Sequence, residues 1–376
     1  MNLAQPASAV SNEFGGRLPG LDALRTIAAS AVLLSHLIAV ALVSASPPLL
    51  DDESLDTVSA LAHALGVWGV GIFFVLSGLC IHLPMARRLA LDGGAQLPVR
   101  EFLRRRFTRI YPPHLVVLIA SIAAAALLPD LPPEATLLTV PTVPQFIAHL
   151  FLVHSFGPDA ISSGNAVLWT VAVESHFYLL YPLILLWQKR WPLIRITAIL
   201  FALSVALCFA TLHWAPAYVW LVGSNVGARL WQWTLGCWLA ERLVARGETP
   251  RRSHALWLSL SLLSLFVGAA ALLDDRTTDA LPWIWPLLAA PIVAAAARTR
   301  MTRTSRIDRF LLAIGERSYS LYLTHPIALF CVAGLLVNSN VAPAAQAGLE
   351  LTSAGLLCAI FFRWIERPFL LASKKI

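Results

Sequence analysis

The sequence predicts an all-α polytopic membrane bundle of about ten transmembrane helices with both termini on the cytoplasmic side. Three observations predict it. Hydrophobic residues make up 58% of the 376-residue chain and charged residues only 13%, with a mean hydropathy of +0.71. The apolar residues gather into runs long enough to cross a bilayer. The cationic residues fall in alternate connections between those runs. A soluble domain carries about a quarter charged residues, so this composition excludes a soluble enzyme, a disordered chain and a coiled coil.

Ten runs satisfy the requirement of about 20 mostly apolar residues: 21–44, 66–84, 110–128, 168–187, 194–213, 218–240, 255–273, 280–297, 318–337 and 343–364. The first 20 residues are polar and lack a cleavable signal core, so the first run is expected to remain as a span. The apolar piece 145–156 is too short to span and is assigned to the interface. No repeat or linker is visible, so residues 1–376 are read as one integral domain.

Charge placement gives the orientation. Loop 85–109 holds seven Arg, loop 241–254 four and loop 298–317 six. Lys189, Arg190 and Arg195, the N-terminal Arg17 and Arg25, and the C-terminal Arg363, Arg367, Lys374 and Lys375 complete the set. Only Arg229, inside a span, and Arg276 fall elsewhere, whereas the opposite loops, 45–65 and 129–167 among them, are acidic. The net charge of +7 is therefore a topology signal, and no nucleic-acid partner is expected. The five cysteines sit in apolar runs without CxxC or CxxH spacing, so they read as buried hydrophobes, and no metal site is expected.

Ionisable residues at membrane depth are costly and are functional candidates by default; the competing reading for each is a hydrogen bond between helices. Arg25 and His36 lie eleven residues apart on one face of the first span, separated by a rise of about 16 Å. Glu174 enters the fourth span to a depth near that of His36. A carboxylate beside a buried His is a general-base arrangement. His325 and Tyr322 lie in the ninth span, Arg229 in the sixth, and Tyr178 shares the fourth with Glu174. Arg106 and Arg109 share a helix face at the cytoplasmic start of the third span, with Arg105 adjacent, and guanidinium forks suit phosphate. Anchoring to anionic lipid is the alternative for that cluster. The run from Trp68 to Gly78 sets Gly69, Gly71, Ser77 and Gly78 among aromatics, either for close helix packing or for substrate. Glu366-Arg367 reads as an ion-pair latch at the inner edge.

In order, these pieces resemble the acyltransferase 3 family of bacterial membrane O-acyltransferases. The matching text is Pro19-Gly20-Leu21-Asp22-Ala23-Leu24-Arg25 through His36, Phe73-Phe74-Val75-Leu76-Ser77-Gly78, and Arg106-x-x-Arg109-Ile110-Tyr111-Pro112. It continues with Leu168-Trp169-Thr170-Val171-Ala172-Val173-Glu174, then Gly315 through Pro326, and Glu366-Arg367-Pro368. The resemblance implies transfer of an acyl group, usually acetyl, from cytosolic acetyl-CoA or another acyl-CoA to a hydroxyl of a glycan or similar acceptor. The setting would be the bacterial cytoplasmic (inner) membrane, with membrane lipid as surroundings. It implies His36 as the catalytic histidine with Arg25 as its motif partner, and Arg106 and Arg109 at the donor's phosphates. Gly71, His176 and Thr324 depart from the family's usual acidic residue, Gln and Trp.

Together these readings assign His36, Glu174 and Arg25 to catalysis. Arg106, Arg109, Arg105 and Tyr322 are assigned to the donor, and Arg229, His325, Tyr178 and Ser77 to the acceptor. Direct transfer and an acyl-histidine intermediate both remain open. A multi-span transporter or flippase of a polar or lipid-linked substrate is the alternative function.

Overall fold

The computed structural model describes residues 18–44, 51–92, 96–128, 137–246, 281–299, 301, 305–337 and 339–376. These residues are almost wholly helical. The one paired extended contact between described residues is an isolated bridge of Leu138 with Asn165. In chain order the helices are α1 Pro19–Ser44, α2 Asp52–Asp92, α3 Val99–Leu127, α4 Val143–Leu150, α5 Trp169–Gln188, α6 Leu193–Trp214, α7 Val219–Gly223 and α8 Val226–Ala245. Then come α9 Leu281–Ala297, α10 Arg306–Glu316, α11 Ser318–Leu336 and α12 Pro343–Phe361. A π turn over Phe362–Glu366 leads from α12 into α13 Arg367–Lys375.

Among the described residues seven helical stretches are long and apolar enough to cross a membrane: Pro19–Leu42, Ser54–Leu91, Val99–Leu127, Trp169–Gln188, Leu193–Trp214, Ser318–Leu336 and Pro343–Lys375. They coincide with seven of the ten expected runs. The run 218–240 is broken: Asn225 interrupts it and caps α8, its side chain accepting from the backbone N–H of Gly227 (2.9 Å) and Ala228 (3.4 Å). α8 also carries Arg229, Glu241 and Arg242 and is not among the seven stretches. The run 280–297 is a 17-residue helix containing Pro286 and Pro291, and 255–273 lies outside the described residues.

The expected outer loop 45–65 is helical from Asp52 onward. Asp51 caps α2, its Oδ1 accepting from the Ser54 N–H at 2.8 Å, and no Gly or Pro interrupts the helix before Gly66. α2 thus runs for 41 residues, about 60 Å at 1.5 Å per residue, well beyond a hydrocarbon core of about 30 Å. The apolar piece 145–156 becomes α4 and a 3-10 turn over His154–Phe156.

The core sits where α2 crosses α1 and α8. Leu24, Trp68, Ile72, Val75, Leu79 and Trp231 are buried there. Two glycines allow the α2–α8 approach. A Cβ on Gly78 would lie 1.9 Å from the carbonyl oxygen of Trp233, and one on Gly236 would lie 1.9 Å from that of Val75. Contact this close is what small residues at helix interfaces provide in a membrane, where van der Waals packing supplies much of the association energy. α11 is held to the end of α12 by Glu366, whose Oε2 accepts from the Ser320 N–H (3.0 Å) and the Ser320 hydroxyl. The expected Glu366–Arg367 ion pair does not occur among the described residues: Glu366 is buried in the π turn and bonds to Ser320, while Arg367 stays exposed.

Candidate active site

A cavity of about 420 Å³ lies among α1, α2, α3, α5 and α11, with α13 at one edge. Each helix supplies polar groups at helical spacing: Asp22 and Arg25 from α1, Ser77, Cys80 and Arg87 from α2, Arg106 and Arg109 from α3, Thr170, Glu174 and Tyr178 from α5, and Tyr319 and Tyr322 from α11. Glu316, Glu366 and Lys374 complete the polar lining.

Glu174 organises one wall. Its Oε1 accepts from the Ser77 hydroxyl (2.8 Å) and from the Tyr178 hydroxyl one turn away (2.5 Å). Ser77 Oγ in turn accepts from Trp233 Nε1 at 3.3 Å, an approach the Gly78–Trp233 contact permits. Arg106 stands against two aromatic rings, with its guanidinium carbon 5.6 Å from the Phe102 centroid and 5.7 Å from the Tyr178 centroid. Its Nε is buried without a hydrogen-bond partner among the described residues. A buried donor left unpaired is costly, so this wall suits an anionic or carbonyl-bearing ligand. Arg25 pairs with Asp22, one turn earlier on the same helix, and its Nη2 donates to Cys80 Sγ at 3.1 Å.

His36 and His325 form a pair outside the cavity lining. His36 Nδ1 lies 2.8 Å from His325 Nε2, and His325 Nδ1 lies 3.0 Å from the Leu321 carbonyl oxygen. His325 is buried and His36 partly exposed. Tyr322 separates the pair from the cavity. It lines the cavity together with Phe73, whose ring lies 5.7 Å away, and it meets the His325 ring edge-on at 6.0 Å. The hydroxyls of Tyr322 and Thr170 are 2.9 Å apart.

Of the residues singled out from sequence, Arg25, Ser77, Arg106, Arg109, Glu174, Tyr178 and Tyr322 line the cavity together. Arg105 is exposed, turned about 100° around α3 from Arg106. Arg229 is buried at the α7–α8 corner, where its Nε donates to the Gly223 carbonyl (2.5 Å) and its guanidinium lies 5.9 Å over the Trp169 ring. Neither residue lines the cavity. No hydrogen bond between Glu174 and His36, or between Arg25 and His36, occurs among the described residues. The sequence reading passed over Asp22, Cys80, Arg87, Thr170 and Lys374 as site residues. Asp22 could have been found from its i, i+3 relation to Arg25. Lys374 carries no local signal, because only the packing of α13 against α3 brings it to the cavity.

On another face, residues 137–168 fold over α3 around three stacked histidines. The His149 and His154 rings are 3.8 Å apart, and each lies about 6 Å from His114. His149 Nε2 bonds to the Ser163 carbonyl (3.0 Å) and hydroxyl (3.1 Å). Asn165 Nδ2 donates to Ser121 Oγ at 2.9 Å. Burial pushes His149 down to about 4 and holds His154 well below the usual histidine value, with its histidine neighbours adding to the effect. No His, Cys, Asp and Glu grouping able to hold a metal occurs among the described residues.

The model of the acyltransferase 3 family, described as an acyltransferase domain, matches residues 18–365. The acyltransferase MdmB of Streptomyces mycarofaciens is 28% identical over 325 residues, covering 82% of this chain and 78% of that protein. The O-acetyltransferase OatA of Staphylococcus aureus is 27% identical over 376 residues, covering 93% of this chain and 57% of that protein. The peptidoglycan O-acetyltransferase OatA of Listeria monocytogenes is 23% identical, covering 93% of this chain and 55% of its own length. This chain thus spans little more than half of each OatA. No solved structure matches. With a family match running nearly end to end over an apolar helical chain, and with motif residues from five helices lining one polar cavity while His36 and His325 pair outside its lining, this chain belongs to the acyltransferase 3 family.

Proposed function

We propose that this chain is an O-acyltransferase, most simply an O-acetyltransferase, of the bacterial cytoplasmic membrane. It would have ten spans and cytoplasmic termini, and would move an acyl group from cytosolic acyl-CoA to a hydroxyl of a glycan or similar acceptor at the outer side. The carrying observation is the cavity. Its lining combines Arg87, Arg106, Arg109 and Lys374, a cationic set suited to phosphates, with an unpaired buried Nε on Arg106. In this reading the nucleotide end of the donor meets these cations and the pantetheine arm runs along α1. That arm reaches about 15–20 Å, close to the rise of about 16 Å from Arg25 to His36. The Tyr322–Phe73 pair must move aside for the thioester to reach His36.

His36 then takes the acceptor's hydroxyl proton as the alcohol oxygen attacks the thioester carbon. The C–O bond forms and the C–S bond breaks. His36 returns the proton to the departing thiolate, so acyl ester and CoA thiol leave with no net proton change. Glu174, bonded to Ser77 and Tyr178, shapes the wall that receives the donor. Arg25, held by Asp22, places positive charge in the same cavity. Substituting His36 by Ala in purified protein tests the reading. Acyl transfer to a glycan acceptor is expected to fall by about 10²–10⁴-fold with acyl-CoA binding kept, and undiminished transfer overturns it.

A further inference from the structure

Two neutral imidazoles can share a hydrogen bond only if one donates and the other accepts. The pair on α1 and α11 leaves one assignment. The Leu321 carbonyl oxygen only accepts, so His325 carries its proton on Nδ1, 3.0 Å away. A neutral His325 is then bare at Nε2. That nitrogen faces His36 Nδ1 at 2.8 Å, so His36 must carry its own proton on Nδ1. A neutral His36 is left with its lone pair on Nε2, the atom a general base uses. The ring geometry agrees. The planes are 14° apart and the centroids 5.1 Å apart. That separation is about as large as the nitrogen contact allows, so the rings meet edge to edge, with the bond in the plane of each.

Sequence explains why His325 is oriented so firmly. Pro326 follows it and has no N–H to donate to the Tyr322 carbonyl one turn back. In the same turn the His325 ring bonds to the Leu321 carbonyl. Thr324 turns its hydroxyl back to the Ser320 carbonyl at 2.8 Å and so does not compete for His325.

We propose that His325 is the positioning residue of His36, fixing the tautomer and ring plane of the base through its Nε2 lone pair. This rests on the reading of His36 as the base. When His36 takes the hydroxyl proton on Nε2 it becomes imidazolium, and its Nδ1–H bond to His325 becomes charge-assisted and stronger. The gain falls in the charged state that precedes proton return to the thiolate. His325 itself neither gains nor loses a proton. A carboxylate in its place would orient the base equally well, but it would bury a negative charge at membrane depth whenever His36 is neutral. An imidazole avoids that cost.

The test compares His325→Ala, which removes the acceptor, with His325→Gln, whose amide oxygen can restore an acceptor near Nε2. Transfer kinetics and acyl-CoA affinity are measured on purified protein in lipid nanodiscs. His325→Ala is expected to lower kcat by about 10²-fold, with KM and Kd for acyl-CoA within about twofold of the parent. His325→Gln is expected to recover at least a tenth of the parent kcat. If His325→Ala keeps its kcat, or raises KM instead, or if His325→Gln binds acyl-CoA but is as slow as the Ala variant, the proposal is overturned. Should His325→Ala fail to fold, recovery of activity in the acyl-CoA-binding Gln variant supports the proposal and its absence sinks it. His36→Ala separates the two claims: full transfer in that variant defeats the reading of His36 as base. A silent His36→Ala beside a fully active His325→Ala defeats only the role of His325.

Discussion

Arg106 and Arg105 are neighbours in sequence with opposite surroundings, and substituting them separates a donor site from a lipid anchor. Arg106 lines the cavity, lies against Phe102 and Tyr178, and keeps a buried Nε without a partner among the described residues. Arg105 is exposed. If the donor's phosphate meets Arg106, Arg106→Gln removes at least one charge-assisted hydrogen bond, worth about 1.5–3 kcal/mol. At about 1.4 kcal/mol per decade this weakens CoA binding by about 10- to 150-fold. Arg105→Gln loses only a screened surface charge, worth less than about 1 kcal/mol, so its Kd should move by no more than about fivefold. Titration calorimetry of CoA against protein in nanodiscs of neutral lipid, at low and high salt, measures both. The Arg106 loss should persist at high salt, because a partly buried pair is screened little. Equal losses for the two variants, or no loss for Arg106→Gln, would refute the donor-site argument and restore the lipid-anchor reading.

Glu174→Gln keeps an acceptor for Ser77 and Tyr178 but removes the charge. Because no hydrogen bond joins Glu174 to His36, transfer should stay within about tenfold of the parent, and a loss as deep as that of His36→Ala would show that Glu174 serves the base directly. Gly78→Ala places a Cβ 1.9 Å from the Trp233 carbonyl oxygen, so α2 and α8 must separate. A destabilisation of about 3 kcal/mol, read as a lower thermal midpoint in detergent, is expected, and an unchanged midpoint would contradict the contact. The histidine cluster predicts acid sensitivity of the 137–168 segment. His149 is held near 4 in the fold against 6.5 when free, so the unfolded segment binds more protons between those values. Stability is full above about pH 6.5 and falls as pH drops towards 4, by on the order of 3 kcal/mol for that residue. Hydrogen exchange of residues 137–168 at pH 7 and pH 4.5 should show the loss of protection, and equal protection at both would count against it.

The membrane class and the motif residues were legible because they depend on composition and local spacing. Seven of the ten expected runs are spanning-length apolar helices, since apolar length is sufficient for a helix in lipid. Arg106 and Arg109 share a lining face because 3.6 residues per turn places them together, and the same arithmetic turns Arg105 away. The break in the run 218–240 was not legible for a local reason: hydropathy averages over Asn225, whose side chain caps a new helix there. The N-terminal end of α2 misled in the opposite sense. Polar residues suggested a loop, although nothing before Gly66 stops a helix capped by Asp51.

Sequence alone determined that this chain is a helical membrane protein with a histidine well inside the first helix and an arginine pair at the start of the third. Hydrophobicity and helical periodicity are properties of neighbouring residues. Tertiary structure decided which groups meet. It gave His36 the ring of His325, 289 positions away, in place of Glu174, and gave Glu174 to Ser77 and Tyr178. It also brought Lys374, at the chain's far end, to the cavity that Arg25 lines near its start. Those pairings depend on how helices cross, and the crossings are set by close contacts such as Gly78 on Trp233 and Gly236 on Val75, which no periodicity within one helix encodes.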